Sequence, residues 1–200
     1  MARENERADA ARNRAAVLAA ADRLFAESPH GTAVSMDEIA EAAGVGKGTL
    51  FRRFGDRAGL VRAVFEARTA WFREALESGP EPLGPDTPPR ERVFGIMEAL
   101  VRIKLDNTHL AQTLEEAPAG RGAELFASAS YRLVHGLLAD AVARACAGQT
   151  PPAPDAAWTA HVLLGAVRAD LVGHLVATEG LTRGRALRDV RDLVERLLGP

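Results

Sequence analysis

Two hundred residues, 47% of them apolar, suffice to bury a proper core and suit one or two domains. The single cysteine, Cys146, excludes an internal disulfide and fits a reducing cytoplasm, where it reads as a small packing residue. With a net charge of −2 the chain is not basic throughout, so any contact with phosphate is confined to a local cationic face.

Runs of β-branched residues are few, and the apolar residues recur at helical spacing. The expected class is therefore all-α, with about nine helices. The segment MARENERADAARNR holds no apolar stretch and is not read as a signal peptide. Met1 to Asp9 read as a disordered arm; Glu4, Glu6 and Asp9 offset Arg3 and Arg7, which makes a solvated tail the simpler reading. The first helix is expected near 10–27, with Val17, Leu18, Ala21, Leu24 and Phe25 as its inner stripe. Residues 28–31 (SPHG) stop it.

Ser35 to Phe54, SMDEIAEAAGVGKGTLFRRF, reads as two short helices joined by a tight turn. Ser35 with Glu38 three residues on is a capping box. Met36, Ile39, Ala40 and Ala43 then form an apolar face. Gly44 supplies the left-handed backbone that ends the helix, and Val45 plugs the turn. In the second helix Leu50 and Phe54 point inward, while Lys47, Thr49, Arg52 and Arg53 point outward with Phe51 partly among them. From Gly46 to Arg57 there are four cations and one anion, on a chain that is acidic overall. This is the arrangement of a helix-turn-helix, whose second helix enters the major groove of duplex DNA.

Asp56 is expected to cap a fourth helix running to about Ser78, with Arg57 in its first turn within reach of phosphate. Pro and Gly dominate 79–89, which reads as a loop. A fifth helix, about 89–105, is apolar almost all round and belongs in the middle of a domain. A short sixth helix covers 108–116, stopped by Pro118 and Gly120. A seventh covers about 122–147, and 148–152 end it. An eighth covers about 155–179, closed by Gly180; His161, Arg168, Asp170 and His174 make it too polar for a membrane span. A ninth covers 182–198. In the ninth, Leu187, Val190, Val194 and Leu197 form one stripe, and Ala186, Leu193 and Leu198 form a second. Two apolar sides call for two partners, the chain's own core and a second copy.

The C-terminal half offers Trp71, Phe72, Met97, Leu100, Val101, Lys104, Phe126, Tyr131, His135, Trp158 and His161 as candidate linings of a small-molecule cavity. Each is more often a plain core or surface residue than a pocket lining. No His, Cys, Asp and Glu spacing suggests a metal, and no cofactor or catalytic nucleophile is indicated. Gly46-Lys47-Gly48-Thr49 resembles the end of a phosphate-binding loop, which would make the chain a nucleotide-dependent phosphotransferase. That loop needs a glycine where Glu41 stands, and it must follow a strand. A helical scaffold binding only protein is a third reading, but it would not need outward Lys47, Arg52 and Arg53 over inward Leu50 and Phe54.

Gly31 to Ala40, Ala43 to Phe54, and then Asp56, Arg57 and Leu60 resemble, in order and spacing, the TetR family of bacterial transcriptional regulators. The resemblance covers about the first third of the chain. It implies a DNA-binding domain over 10–69 and a helical ligand-binding and dimerisation domain over 70–200. It also implies a homodimer on a near-palindromic double-stranded operator, released by a small-molecule effector. DNA contacts fall on Ser35, Met36, Gly46, Lys47, Gly48, Thr49, Phe51, Arg52, Arg53 and Arg57. The dimer interface falls on Leu164, Arg168, Leu171, Leu187, Val190, Val194 and Leu197. Three positions depart from the family pattern. Gly46 replaces a usual Ser or Thr, Phe51 a usual Tyr, and Thr32 a usual aromatic residue.

Overall fold

The computed structural model describes residues 2–27, 34–115, 126–149 and 155–199. The helix stops expected at 28–31, 118–120 and 150–152, and the departure at Thr32, lie outside them. Among the described residues there is no strand. The helices in order are α1 (Ala2–Glu27), α2 (Met36–Ala42), α3 (Lys47–Phe54), α4 (Arg57–Arg68), α5 (Ala70–Ser78) and α6 (Pro89–Asp106). They continue with α7 (Thr108–Glu115), α8 (Ala129–Ala145), α9 (Ala156–Ala166), α10 (Ala169–Glu179) and α11 (Arg183–Leu198). The chain divides into two compact units, Met1–Thr69 and Ala70–Pro200.

In the first unit, α1 packs on α2 and α4. Val17, Ala20, Ala21 and Phe25 are buried with Ile39, Ala40, Leu50, Leu60, Val61 and Val64. A side chain such as Leu50 contributes about 1.5–3 kcal/mol by leaving water. An ion pair of 2.5 Å between Arg68 and Asp22 ties α4 to α1. The helix α1 starts at Ala2, in the segment expected to be a disordered arm. Ala, Arg and Glu are good helix formers, and neither Gly nor Pro interrupts them, so the helix extends N-terminally.

In the second unit α6 is the central element, packed against α8, α10 and α11. Val93, Ile96, Met97, Leu100, Val101 and Ile103 are all buried, as its all-round apolar sequence requires. Gly95 lets the loop before α6 come close: a Cβ there would lie 2.6 Å from the Pro82 carbonyl oxygen. Arg92, though charged, is buried; its Nε donates to Leu83 O (3.1 Å) and its Nη2 to Leu76 O (2.8 Å). It thereby stitches the end of α5 and the following loop onto α6. Replacing Arg92 with Met keeps most of the stem but leaves these acceptors without their donor. A loss of about 1–3 kcal/mol per buried acceptor is expected, read as a lower urea midpoint. An unchanged midpoint would show that the guanidinium does not hold this corner.

Two expected helices are each broken. The helix over 57–78 stops at Thr69, whose hydroxyl donates back to Phe65 O at 2.8 Å and competes with the regular ladder. The helix over 155–179 stops at Val167, and Arg168 (φ −61°, ψ 143°) caps a new one. Asp170, in the first turn of α10, accepts from the Leu171 N–H and the Arg168 guanidinium at 2.8 Å. The 24 residues Ala156–Glu179 have the length and mean hydropathy (1.3) of a membrane span. The break divides them into two helices of 11 residues, each too short to cross a bilayer.

The two stripes expected on α11 are in fact one face. At about 100° per residue they occupy adjoining arcs about 140° wide together. Its buried members come from both: Val194 from the first, Ala186 and Leu198 from the second. Val194 is 0% exposed. It belongs to the chain's own core, which corrects its assignment to a dimer interface. Leu187, Val190 and Leu197 are half-buried on that same face.

Candidate nucleic-acid interface

The first helix of the pair is fixed at its start by a reciprocal cap. The Ser35 N–H donates to Glu38 Oε2 (2.8 Å), and the Glu38 N–H donates to Ser35 Oγ (3.2 Å). The Ser35 backbone N–H, and after it the Ser35 hydroxyl, hold the Glu38 carboxyl below the usual carboxylate range. A carboxylate lowered in the fold stabilises it above the ordinary carboxylate pKa. That contribution is lost as pH falls through the lowered value. The helix ends on Gly44 at φ 64°, a conformation glycine adopts without strain. The Val45 N–H returns to Ala40 O at 3.0 Å, which closes the turn.

Gly46 (φ −68°, ψ 139°) begins α3 without a side-chain cap. Its carbonyl accepts from the N–H groups of Thr49 and Leu50 (2.9 and 3.2 Å). The N–H groups of Lys47 and Gly48 have no partner among the described residues. A Cβ at Gly48 would meet nothing within 4 Å, so this helix start is open to an approaching backbone. Unpaired N–H groups at a helix N-terminus favour an anion. At the other end, Asp56 caps α4 through the Gly59 N–H (2.8 Å). A Cβ at Gly59 would lie 2.0 Å from Phe54 O, so only glycine lets α4 leave α3 this closely.

The outward residues of α3 divide by what they touch. Lys47 Nζ lies 2.7 Å from both carboxylate oxygens of Asp37 on α2. It also stands 6.0 Å from the centre of the exposed Phe51 ring. Arg53 donates to the carbonyl of Ala10 on α1. Arg57 is half-buried, with its Nε 3.3 Å from Val34 O and its guanidinium 5.6 Å from the Phe25 ring centre. Arg52 is exposed and has no partner among the described residues. Thr49 is half-buried and Ser35 is occupied by its cap. Met36, expected to contact DNA, is buried in the core of the first unit.

The GKGT segment lies at the start of a helix that follows another helix, so it lacks the strand a phosphate-binding loop requires.

The second unit gathers part of the expected cavity lining. Tyr131 and His135 of α8 meet His161 of α9. The Tyr131 hydroxyl lies 2.8 Å from His161 Nδ1, and the two imidazole rings are 3.9 Å apart between centres. Burial raises the Tyr131 pKa, and the hydroxyl shares a hydrogen bond with His161 whose direction follows the imidazole tautomer. Phe126 packs edge-on to Tyr131 at 5.1 Å. Trp158 points away, 66% exposed, and Trp71 is 49% exposed beside buried Phe72. Met97, Leu100 and Val101 are core, and Lys104 is half-buried. A surface groove of about 200 Å³ runs between Pro82, Phe94 and Arg191. None of the expected linings borders it, and no motif marked it, because its residues come from a loop and two separate helices. Of the expected dimer residues, Leu164 and Arg168 are half-buried and Leu171 is 41% exposed.

A capped helix, a glycine turn and a second helix with a buried Leu50 and an outward cationic side define a helix-turn-helix. Residues 17–64 match the model of the family described as bacterial regulatory proteins, tetR family. The likeness to that family therefore lies in the N-terminal unit. Across its length its fold is that of solved TetR regulators. One from Rhodococcus sp. RHA1 is 21% identical, with a TM-score of 0.64, over 95% of this chain and 97% of that one. Another from Rhodococcus sp. is 20% identical, with a TM-score of 0.67, over 94% and 99%. NalD, the secondary repressor of the MexAB-OprM multidrug efflux pump in Pseudomonas aeruginosa, is 18% identical, with a TM-score of 0.56, over 94% and 96%. Comparison with curated proteins finds no match. The solved structures are matched in fold along most of the chain, and the family model marks residues 17–64 as the helix-turn-helix segment.

Proposed function

We propose that this protein is a cytoplasmic repressor that binds a near-palindromic operator as a homodimer and releases it when a small molecule occupies the 70–200 unit. The observation that carries the DNA-reading part is Arg52. It is a guanidinium on the outward side of α3, exposed and uncommitted, beside open N–H groups at the helix start. Guanidinium is the group best matched to the paired acceptors of guanine in the major groove. Lys47 joins it as a base-reading group; Arg53 sits on the flank, toward phosphate, and Arg57, engaged by Val34 O and the Phe25 ring, supports the unit from behind. The dimer reading is supported by Val162, Leu171 and Val176, large apolar residues left exposed on α9 and α10. The repressor reading follows NalD, which is itself a secondary repressor. The effector site is placed around Tyr131, His135 and His161, where polar and aromatic groups converge.

The test is selection of bound duplexes from a random pool, repeated with small-molecule panels. A repeated, inverted half-site lost on addition of one compound class is expected. Recovery of unrelated sequences would remove sequence-specific regulation.

A further inference from the structure

Asp37 is the one acidic side chain that the described residues bring against the cationic side of the recognition helix. It does so across the turn, from the first turn of α2 to the first residue of α3. Its carboxylate receives Lys47 Nζ at 2.7 Å on both oxygens. Both side chains are largely in water, 63% and 61% exposed, so the pair adds little to folding. Lys47 follows Gly46, a cap with no side chain of its own, and its ammonium is engaged by Asp37 and stands over the Phe51 ring.

We propose that Asp37 is a positioning residue for DNA recognition: an internal counterion that aims Lys47 and penalises binding to DNA of the wrong sequence. This inference rests on the DNA-binding reading above. On any duplex, Lys47 must leave Asp37 to meet phosphate, or bring Asp37 close to the polyanion. Either way the carboxylate takes up about as much cation as Lys47 releases, and the gain from counterion release is cancelled. On the preferred operator, Lys47 held in one geometry loses less freedom when it meets its base. The cancellation then weighs mainly on non-specific binding, and the ratio of the two affinities rises.

The experiment uses the full-length chain, a duplex selected from a random pool, and a random duplex of equal length. Asp37→Asn keeps the size of the side chain and removes its charge. Expected is a gain on random duplex of about two- to fivefold per subunit, the equilibrium equivalent of one exposed ion pair. The gain on the selected duplex should be smaller, so specificity falls. The salt slope on random duplex should steepen by about 0.9 per subunit. In a Lys47→Met background the same Asp37→Asn change should leave the specificity ratio unmoved. An equal gain on both duplexes, an unmoved salt slope, or the same loss of specificity without Lys47 would each overturn the proposal. A wild-type chain that binds no duplex at all would instead overturn the DNA-binding reading itself. Thermal unfolding of Asp37→Asn should match wild type; a large loss of stability would make Asp37 a folding residue and also overturn the proposal.

Discussion

Val194→Glu should leave the C-terminal unit unfolded, while Leu171→Glu should leave it folded but monomeric. The two residues share the apolar C-terminal helices and differ in what covers them. Val194 is sealed within its own chain, so glutamate there buries a carboxylate with no partner. Such burial costs several kcal/mol, about 4 kcal/mol or more, against a total stability of about 5–15 kcal/mol. Leu171 is 41% exposed on α10, where a polar substitution costs the monomer about 0.5 kcal/mol or less. In a dimer formed through α9, α10 and the half-buried residues of α11, it would place two like charges in a closing interface. Sedimentation should then show half the mass. Operator affinity should fall at least about a hundredfold, because each half-site is left to bind alone. Circular dichroism and sedimentation of the two variants read both outcomes. A folded, dimeric Leu171→Glu that binds normally would move the interface elsewhere.

Arg52→Ala should cost about 1–3 kcal/mol on the preferred operator and relax the preference at one base pair per half-site. Arg57→Ala should act differently. Its head is engaged by Val34 O and the Phe25 face, so its loss should loosen the first unit and weaken all sequences alike. Arg53, which donates to the Ala10 carbonyl, falls between these cases. Phe51→Tyr restores a phenolic donor and should tighten binding without changing sequence choice. Affinities for a panel of single-base operator variants separate these roles. If Arg52→Ala weakens every member equally, Arg52 is an anchor on phosphate.

The parts legible in the sequence are those set by local chemistry. The Ser35–Glu38 cap, the Gly44 stop, the Asp56 cap and the inward Leu50 depend on residues a few positions apart, and each forms as its spacing requires. The central place of α6 was legible because an all-round apolar helix has few other places to go. What stayed hidden depends on contacts distant in sequence. Whether Arg57 reaches outward or folds back is decided by a carbonyl at 34 and a ring at 25. Which residues of the single apolar face of α11 are sealed is decided by its packing on α6. The breaks at Thr69 and Val167 were missed for another reason. Neither Thr nor Val forbids a helix, and the stop comes from a hydroxyl back-bond in one case and a fresh helix start at Arg168 in the other.

The direct measurement is the salt dependence of affinity for a selected duplex, from about 50 to 200 mM monovalent salt. Each phosphate neutralised steepens the slope of log affinity against log salt by about 0.9. Cations on α3 of two subunits, with open N–H groups at each helix start, should give a slope of about −2 or steeper. A slope near zero would contradict DNA binding through this surface.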